Sequence, residues 1–195
     1  MLRRRKANAD SPCPPRIPRA RRALRLLERG FAVVGVMTVV YVLTLDLSVV
    51  ASPSMSPTLE GTSVDNGDRV LTEKVSYWFR RPRRWEVITF TRHDGLQIMK
   101  RVAGLPGEHM RLSKARELFV DDRQVHPPEA LNQKYLRFGN LFAGEPVPCG
   151  DGYYVLGDET RDSDDSRFNG PVPPEQVVGR SWLIVWPLSR FGFVR

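Results

Sequence analysis

The chain has 195 residues, which is enough for one compact domain with a hydrophobic core and a small second lobe. Its formal net charge of +8 suggests nucleic-acid binding, but residues 1–30 hold ten Arg and Lys residues and two acidic residues, and the rest of the chain holds twenty of each sign. This distribution argues against nucleic acid as a partner. It follows the positive-inside pattern, which places residues 1–30 in the cytoplasm of a membrane protein. A basic arm that binds DNA is the competing interpretation.

The first predicted element is an apolar segment at residues 31–51, with no charged residue before Asp46. Since about 20 apolar residues span a bilayer, we predict one transmembrane helix, with the lipid bilayer as a partner. The residues after it then lie outside the cytoplasm. A cleavable signal peptide is the alternative, because small residues follow at 48–52. The length favours an uncleaved anchor, since the apolar part of a signal peptide has about 7–15 residues.

After the anchor, the sequence predicts short strands separated by turns. A strand over residues 68–75 follows the turn signal at 65–67, and strands over 85–91 and 96–102 are joined by a turn at Asp94-Gly95. Further strands are predicted at residues 118–120, 123–125, 153–156 and 177–186, and residues 126–150 are predicted to be irregular because they are rich in Pro, Gly and Asn.

The predicted fold class is mainly β: an antiparallel-sheet catalytic domain with a small appended β-rich lobe, preceded by one N-terminal transmembrane helix. The predicted organisation, in chain order, is a basic cytoplasmic segment at 1–30, the anchor at 31–51, the catalytic β domain at 52–107 and 151–195, and an inserted lobe at 108–150.

Two other features have open interpretations. Tyr77-Trp78-Phe79, followed by four arginines within residues 80–84, suits a surface that dips into lipid headgroups, or else a strand end with a solvated basic turn. The two cysteines, Cys13 and Cys149, are predicted to lie on opposite sides of the membrane, so no intramolecular disulfide is expected. The sequence has no Cys-x-x-Cys or Cys/His cluster, and we predict neither a metal site nor a cofactor.

The candidate catalytic residues are Ser54, directly after the anchor, and Lys100. In a strand, Lys100 shares a face with Ile98 and Val102, so its amine projects among apolar neighbours. Burial disfavours the ammonium form and lowers the pKa of a lysine, and a neutral amine accepts the proton of a serine hydroxyl. Arg101 points to the opposite face and stays protonated. A Ser–Lys pair is a weak signal by spacing alone.

Three motifs strengthen this hypothesis. SPSMSPTL at residues 52–59 resembles the nucleophile box of type I signal peptidases (the S26 family), and KRVAGLPGE at 100–108 resembles their lysine box. GDETRDSDDSRFNGPV at 157–172 resembles their C-terminal box. The motifs stand in the order of the family, after a membrane anchor, and together extend over most of residues 31–186.

The resemblance implies roles for individual residues. Ser54 is expected to be the nucleophile and Lys100 its general base, with an oxyanion hole formed by the Ser54 N–H and the Ser52 hydroxyl. Ser163 is expected to hydrogen-bond and orient Lys100. The acidic and basic residues of the third box are expected to form a salt-bridged scaffold; they are Asp158, Asp165 and Arg167.

The resemblance also implies the substrate. The family binds an extended peptide with small residues at positions −1 and −3, and Val50, Ala51 and Met99 are expected to line its shallow apolar pockets. The expected partners are therefore exported preproteins with Ala-x-Ala signal peptides. The expected location is the bacterial inner (plasma) membrane, with one pass, a cytoplasmic N-terminus and the catalytic domain outside.

The sequence departs from the family pattern in three places. Pro53 stands where the family commonly has Gly, which stiffens the turn into Ser54. Glu159-Thr160 replaces Asn-Arg and brings a carboxylate towards the site, and Arg84-Trp85-Glu86 replaces Arg-Gly-Asp. These departures put the rate, the pH optimum and the exact specificity in doubt, but none removes Ser54 or Lys100.

The prediction is thus a membrane-bound serine endopeptidase that removes signal peptides from exported preproteins. Mitochondrial inner-membrane-type and conjugation-type processing peptidases are alternatives that share this chemistry. A self-cleaving repressor needs an N-terminal helix-turn-helix, where this chain has arginines and an anchor. The non-enzyme alternative is a membrane-tethered binding module. This alternative is disfavoured because all four site residues are present, namely Ser52, Ser54, Lys100 and Ser163.

Overall fold

The computed structural model describes residues 19–128, 135, 139–141 and 144–195. Cys13 and most of the basic segment predicted at 1–30 lie outside these described residues. The chain forms two units, Met1–Val40 and Tyr41–Arg195, and the β-strands and the candidate site belong to the second.

Helix α1 (Arg19–Thr44) has exposed apolar side chains along its length, such as Val33, Val36 and Val39. From Arg21 onwards it is long and apolar enough to cross a membrane, a property that a signal sequence shares. The helix ends at Thr44, before the end of the predicted anchor, because residues 45–49 form a strand. These residues alternate between apolar and polar types, which is the pattern of a strand and not of a helix.

Strand β1 (Leu45–Val49) pairs with β2 (Arg69–Glu73) in an antiparallel register. The ladder extends beyond both ends of β1, where the Lys74 N–H donates to the Thr44 carbonyl and the Val50 N–H donates to the Asp68 carbonyl. Since bonded pairs alternate in an antiparallel ladder, Leu45, Leu47 and Val49 turn their backbone N–H and C=O groups away from β2. This is the free edge of the sheet, since no strand of the described residues pairs with it.

The main sheet has seven strands, in the order β1-β2-β10-β3-β4-β9, with β11 paired to β10. Within the described residues, all neighbouring strands of this sheet pair in an antiparallel manner. Its other strands are β3 (Val87–Thr91), β4 (Gln97–Gly104), β9 (Tyr154–Leu156), β10 (Val177–Trp186) and β11 (Gly192–Phe193). The mainly antiparallel β fold predicted from the sequence, preceded by one apolar helix, is confirmed.

A smaller sheet with the order β7-β6-β5-β8 follows the lysine strand β4. Its strands are β5 (His109–Leu112), β6 (Leu118–Val120), β7 (Arg123–Val125) and β8 (Val147–Pro148). One core joins the two sheets, because Met110 and Leu118 pack in the same buried cluster as Ala103 and Leu156 of the main sheet. The division into a catalytic domain and an inserted lobe stays a prediction.

Helix α2 (Val75–Phe79) contains the aromatic residues Tyr77, Trp78 and Phe79. From the sequence, these residues had two interpretations, an interfacial surface or the end of a strand. The helix is a single turn, and it leaves Trp78 and Phe79 exposed. A third short helix, α3 (Ser166–Asn169), follows the loop that contains Ser163 and is capped by the Asp165 side chain, which accepts from the Arg167 N–H.

Candidate active site

Ser54 lies in a short 3₁₀ turn, Pro53–Met55, that begins after the extended residue Ser52. Proline is favoured at the first position of a helical turn, because its ring fixes φ near about −65° and its missing N–H would have no partner there. This accounts for Pro53, for which the sequence alone offered no explanation. The turn buries both Ser54 and Met55.

Lys100 lies in the central part of β4 and is 2 % exposed. Its Nζ donates to Ser54 Oγ at 2.5 Å, which brings together the two residues predicted as nucleophile and base. Among the described residues, this is the one hydrogen bond that its side chain makes.

Burial controls the acidity of Lys100. Loss of solvation lowers the pKa of its amine from 10.5 to about 8, although the Asp165 and Asp164 carboxylates act in the opposite direction. A shift of this size increases the neutral fraction at pH 7 about 300-fold, from the ordinary titration relation. A neutral amine at hydrogen-bonding distance is able to remove the proton of the Ser54 hydroxyl.

Ser52 stands beside the nucleophile, with its Oγ 3.1 Å from Ser54 Oγ. Ser163 is placed differently from what the resemblance implies. Its hydroxyl donates to Asp165 Oδ2 at 2.7 Å, and no hydrogen bond links it to Lys100 in the part of the chain that the structure describes. The buried Asp165 carboxylate is a strong acceptor for the one proton of this hydroxyl.

Ser163 nevertheless packs close to the nucleophile turn, at Gly157. A Cβ at Gly157 would meet Ser163 Oγ at 2.1 Å and the Ser54 carbonyl oxygen at 2.6 Å, so only glycine fits between them. The Glu159 N–H donates to the same Ser54 carbonyl at 3.1 Å. The Glu159 carboxylate accepts from the Arg161 N–H, so among the described residues it bonds within its own loop and not to Lys100.

Asp165 organises the third motif. In addition to Ser163, its carboxylate accepts from the Gly157 N–H and forms a two-pronged ion pair with the guanidinium of Arg167. Both side chains of this pair are fully buried. Arg167 also donates to the Thr160 carbonyl, and this bond connects the two ends of the loop at residues 160–167.

A second buried ion pair joins Asp158 to Arg101, through Nε at 2.8 Å and Nη2 at 2.7 Å. Asp158, Asp165 and Arg167 are therefore divided between two ion pairs, and Arg101 is a supporting residue that the sequence did not identify. The signal was present, because a residue next to Lys100 on a buried strand points to the opposite face and an arginine there needs a carboxylate.

Trp85, at the position where the resembled family commonly has Gly, has a φ of 70°. This left-handed conformation costs a residue other than glycine about 1–3 kcal/mol. The Trp85 carbonyl accepts from Arg101 at 2.8 Å, and its ring packs on the cluster that joins the two sheets. The packing of the ring is specific to tryptophan and offsets the strain, whereas a glycine at this position would offer the same carbonyl to Arg101.

A cleft of about 380 Å³ opens onto Ser54 and Lys100. One wall is the chain from Val49 to Ser52 and the other is the N-terminal half of β4. The predicted substrate-binding residues Val50, Ala51 and Met99 all line this cleft. Val50 and Met99 also share a buried apolar cluster with Met55.

Comparison with known proteins identifies the family. The model of the family described as "Signal peptidase, peptidase S26" matches residues 23–186. The chain belongs to this family. It is therefore a serine endopeptidase, a hydrolase of the class that removes signal peptides from exported preproteins.

The chain is 32% identical to signal peptidase I of Leptolyngbya laminosa over 206 residues, which cover 95% of each chain. It is 33% identical over 153 residues to the probable signal peptidase I-2 of Synechocystis sp., covering 74% of this chain and 65% of that protein. A crystal structure of a signal peptidase I from Enterococcus faecalis V583 is 28% identical and covers 52% of this chain and 97% of that one, with a TM-score of 0.42 that is too low to support a conclusion about the fold.

Replacing Lys100 with methionine should stabilise the protein at neutral pH. The folded state holds a desolvated ammonium below its pKa of about 8, so removing the charge at similar side-chain length should raise the free energy of unfolding by about 1–3 kcal/mol. The advantage should shrink as the pH rises from 8 towards 10.5, because the unfolded state then binds more protons than the folded state and the wild-type protein gains stability.

Urea unfolding of the full-length protein in detergent measures this difference. Lys114→Met, at an exposed position in the turn between β5 and β6, is the matched control and should change the free energy of unfolding by less than about 0.5 kcal/mol. A Lys100→Met protein that is less stable than the wild type at pH 7 would contradict the burial argument.

Proposed function

We propose that Ser54 is the nucleophile and Lys100 the general base with which this enzyme removes signal peptides. The observation that supports this most directly is the buried hydrogen bond of 2.5 Å between Lys100 Nζ and Ser54 Oγ. Among the described residues no histidine contacts Ser54, and the lowered pKa of Lys100 lets the lysine act where a histidine commonly does.

In the proposed first step, the neutral Lys100 amine takes the proton of Ser54 as its Oγ attacks the scissile carbonyl carbon. The carbonyl oxygen becomes an oxyanion, and the new ammonium then gives its proton to the departing amine, which leaves an acyl-enzyme. Water, with Lys100 again as base, hydrolyses the ester and restores the Ser54 hydroxyl.

The oxyanion hole is proposed to consist of the Ser54 N–H and the Ser52 hydroxyl. Ser54 is the second residue of its 3₁₀ turn, and the first N–H groups of a helical turn have no partner within it. The Ser52 hydroxyl lies next to the Ser54 oxygen and is able to turn towards the oxyanion. Losing one such donor costs about 2.7–4 kcal/mol of transition-state stabilisation.

For Ser163, we propose an indirect role in orienting Lys100. Its hydroxyl donates a hydrogen bond to the Asp165 carboxylate, whose negative charge acts on Lys100 through space and opposes the effect of burial on the lysine pKa. Asp165 is in turn held by Arg167, and Asp158 by Arg101, so the support of the base rests on buried charges that are paired.

The proposed substrate is an extended peptide that adds a strand between the two edges of the cleft. At the two ends of the β3–β4 ladder, the Val102 N–H donates to the Glu86 carbonyl and the Arg92 N–H donates to the Leu96 carbonyl. Since bonded pairs alternate in an antiparallel ladder, Gln97 and Met99 turn their backbone N–H and C=O groups away from β3 and towards the cleft. The free edge of β1 lies across from them. A peptide with its scissile carbonyl at Ser54 would pair with both edges, as in other complexes formed by strand addition.

The proposed specificity is for small residues at −1 and −3, as in an Ala-x-Ala site. Alternate residues of a bound strand point to the same face, which here is the apolar floor formed by Val50, Met99 and Met55. These three side chains are buried and packed together, so the floor is shallow and a large substrate side chain would overlap with it.

We further propose that the enzyme sits in the bacterial plasma membrane through α1, with its N-terminus in the cytoplasm and Ser54 outside. The excess of basic residues before the apolar segment supports this orientation. The lipid bilayer is the proposed second partner of the β domain, because Trp78, Phe79 and Trp186 expose aromatic rings of the kind that lie at membrane interfaces.

Ser54→Ala and Lys100→Ala should each lower kcat/KM for a preprotein with an Ala-x-Ala site by about 1,000-fold or more, since each removes one partner of the proton transfer. Cleavage by the full-length protein in detergent, followed on gels, measures this loss. Ser189→Ala and Lys114→Ala, at exposed positions, are the controls and should cleave at the wild-type rate. Cleavage at the wild-type rate by either Ser54→Ala or Lys100→Ala would contradict the assignment of these two residues as nucleophile and base.

The pH dependence tests the base separately. Because the amine is active when neutral and its pKa is lowered to about 8, kcat/KM should rise with pH, with a midpoint near 8, and should fall about tenfold per unit well below it. Initial rates from pH 6 to 10 give the profile. A flat profile between pH 6 and 8 would mean that another group accepts the Ser54 proton.

A further inference from the structure

A polar bridge of three side chains adjoins the cleft on the N-terminal side of Val50 and Met99, and one of its residues, Gln97, lines the cleft. The Ser48 hydroxyl of β1 donates to Gln97 Oε1 of β4 at 2.8 Å, and Gln97 Nε2 donates to Asp46 Oδ2 at 2.9 Å. The two strands are not neighbours in the sheet, so this side chain spans the gap that the proposed substrate strand would fill. None of these three residues has a role in the proton transfer.

The bridge is in register with the apolar floor. Asp46, Ser48 and Val50 lie on one face of their strand, and Gln97 and Met99 share the corresponding face of β4. A substrate side chain above the bridge is therefore two residues away from the one above Val50 and Met99. With the −1 residue at Ser54 and the −3 residue over Val50 and Met99, the bridge lies below the −5 residue.

We propose that Asp46, Gln97 and Ser48 form a polar specificity subsite for the −5 residue of the signal peptide. This inference rests on the proposed function, since it takes the same cleft as the substrate site. In the free enzyme the Gln97 amide satisfies Asp46 and Ser48, and a substrate side chain that offers N–H groups takes its place at Asp46.

The chemistry of the subsite predicts which side chains it accepts. Asp46 provides negative charge and a second carboxylate oxygen, Oδ1, which accepts no hydrogen bond from the described residues. Gln97 keeps one N–H that is not used in the bridge. A lysine or glutamine at −5 can donate to Asp46, a leucine cannot, and a glutamate places two carboxylates side by side.

Four peptides test this, identical in their Ala-x-Ala site and differing only in lysine, glutamine, leucine or glutamate at −5. For the full-length enzyme in detergent, kcat/KM should decrease in that order, with lysine and leucine differing by about threefold and leucine and glutamate by a similar factor, as expected for a half-buried charge. High salt should reduce the difference between lysine and glutamate.

Asp46→Asn separates charge from shape, because it keeps the size of the side chain. It should bring the lysine and glutamate peptides to within about twofold of each other, from the loss of one charge interaction. Gln97→Leu should lower cleavage of the glutamine peptide relative to the leucine peptide. Gln124→Leu, on an exposed strand of the smaller sheet, should reproduce the wild-type order.

The outcomes distinguish this subsite from the proposed function. Equal cleavage of all four peptides by the wild-type enzyme, with full dependence on Ser54, overturns the subsite and leaves the proposed function intact. An unchanged preference in Asp46→Asn also overturns it. Cleavage that persists in Ser54→Ala overturns the proposed function and, with it, the inference.

Discussion

The removal of the Lys100 amine from water is the interaction on which the site depends. An exposed lysine is protonated at neutral pH and cannot accept a proton from serine, so the nucleophile at Ser54 would stay inert. Burial in β4 lowers the pKa of the amine to about 8 and so makes a base of it. The fold meets this requirement at a cost in stability, since a buried cation opposes folding.

The two buried ion pairs allow burial to dominate the pKa of Lys100. Asp165 raises the pKa of Lys100 and Arg167 lowers it, so the pair partly cancels and desolvation remains the largest influence. Arg101, directly after the base, is held by Asp158 on the opposite face of β4. An unpaired carboxylate next to Lys100 would stabilise the ammonium and reduce its strength as a base. The pairing therefore serves the chemistry as well as the packing.

Much of this arrangement follows from the sequence, and the exceptions have physical causes. The face of Lys100 and the strands at 87–91 and 97–104 follow from alternation and turn residues. The end of α1 at Thr44 was missed because Leu45, Leu47 and Val49 continue the apolar composition while changing its period. The Ser163–Asp165 bond depends on competition between acceptors in three dimensions, which a motif does not encode.

The most direct test of the central claim is the pKa of Lys100 itself. The full-length protein in detergent, labelled with ¹³C-lysine, can be titrated by NMR, with the Lys100 resonance assigned by its absence from Lys100→Met. The account predicts a midpoint near 8, well below the midpoints of the exposed lysines. A midpoint at the ordinary value of 10.5 would contradict it, because Lys100 would then be charged whenever the enzyme meets its substrate at neutral pH.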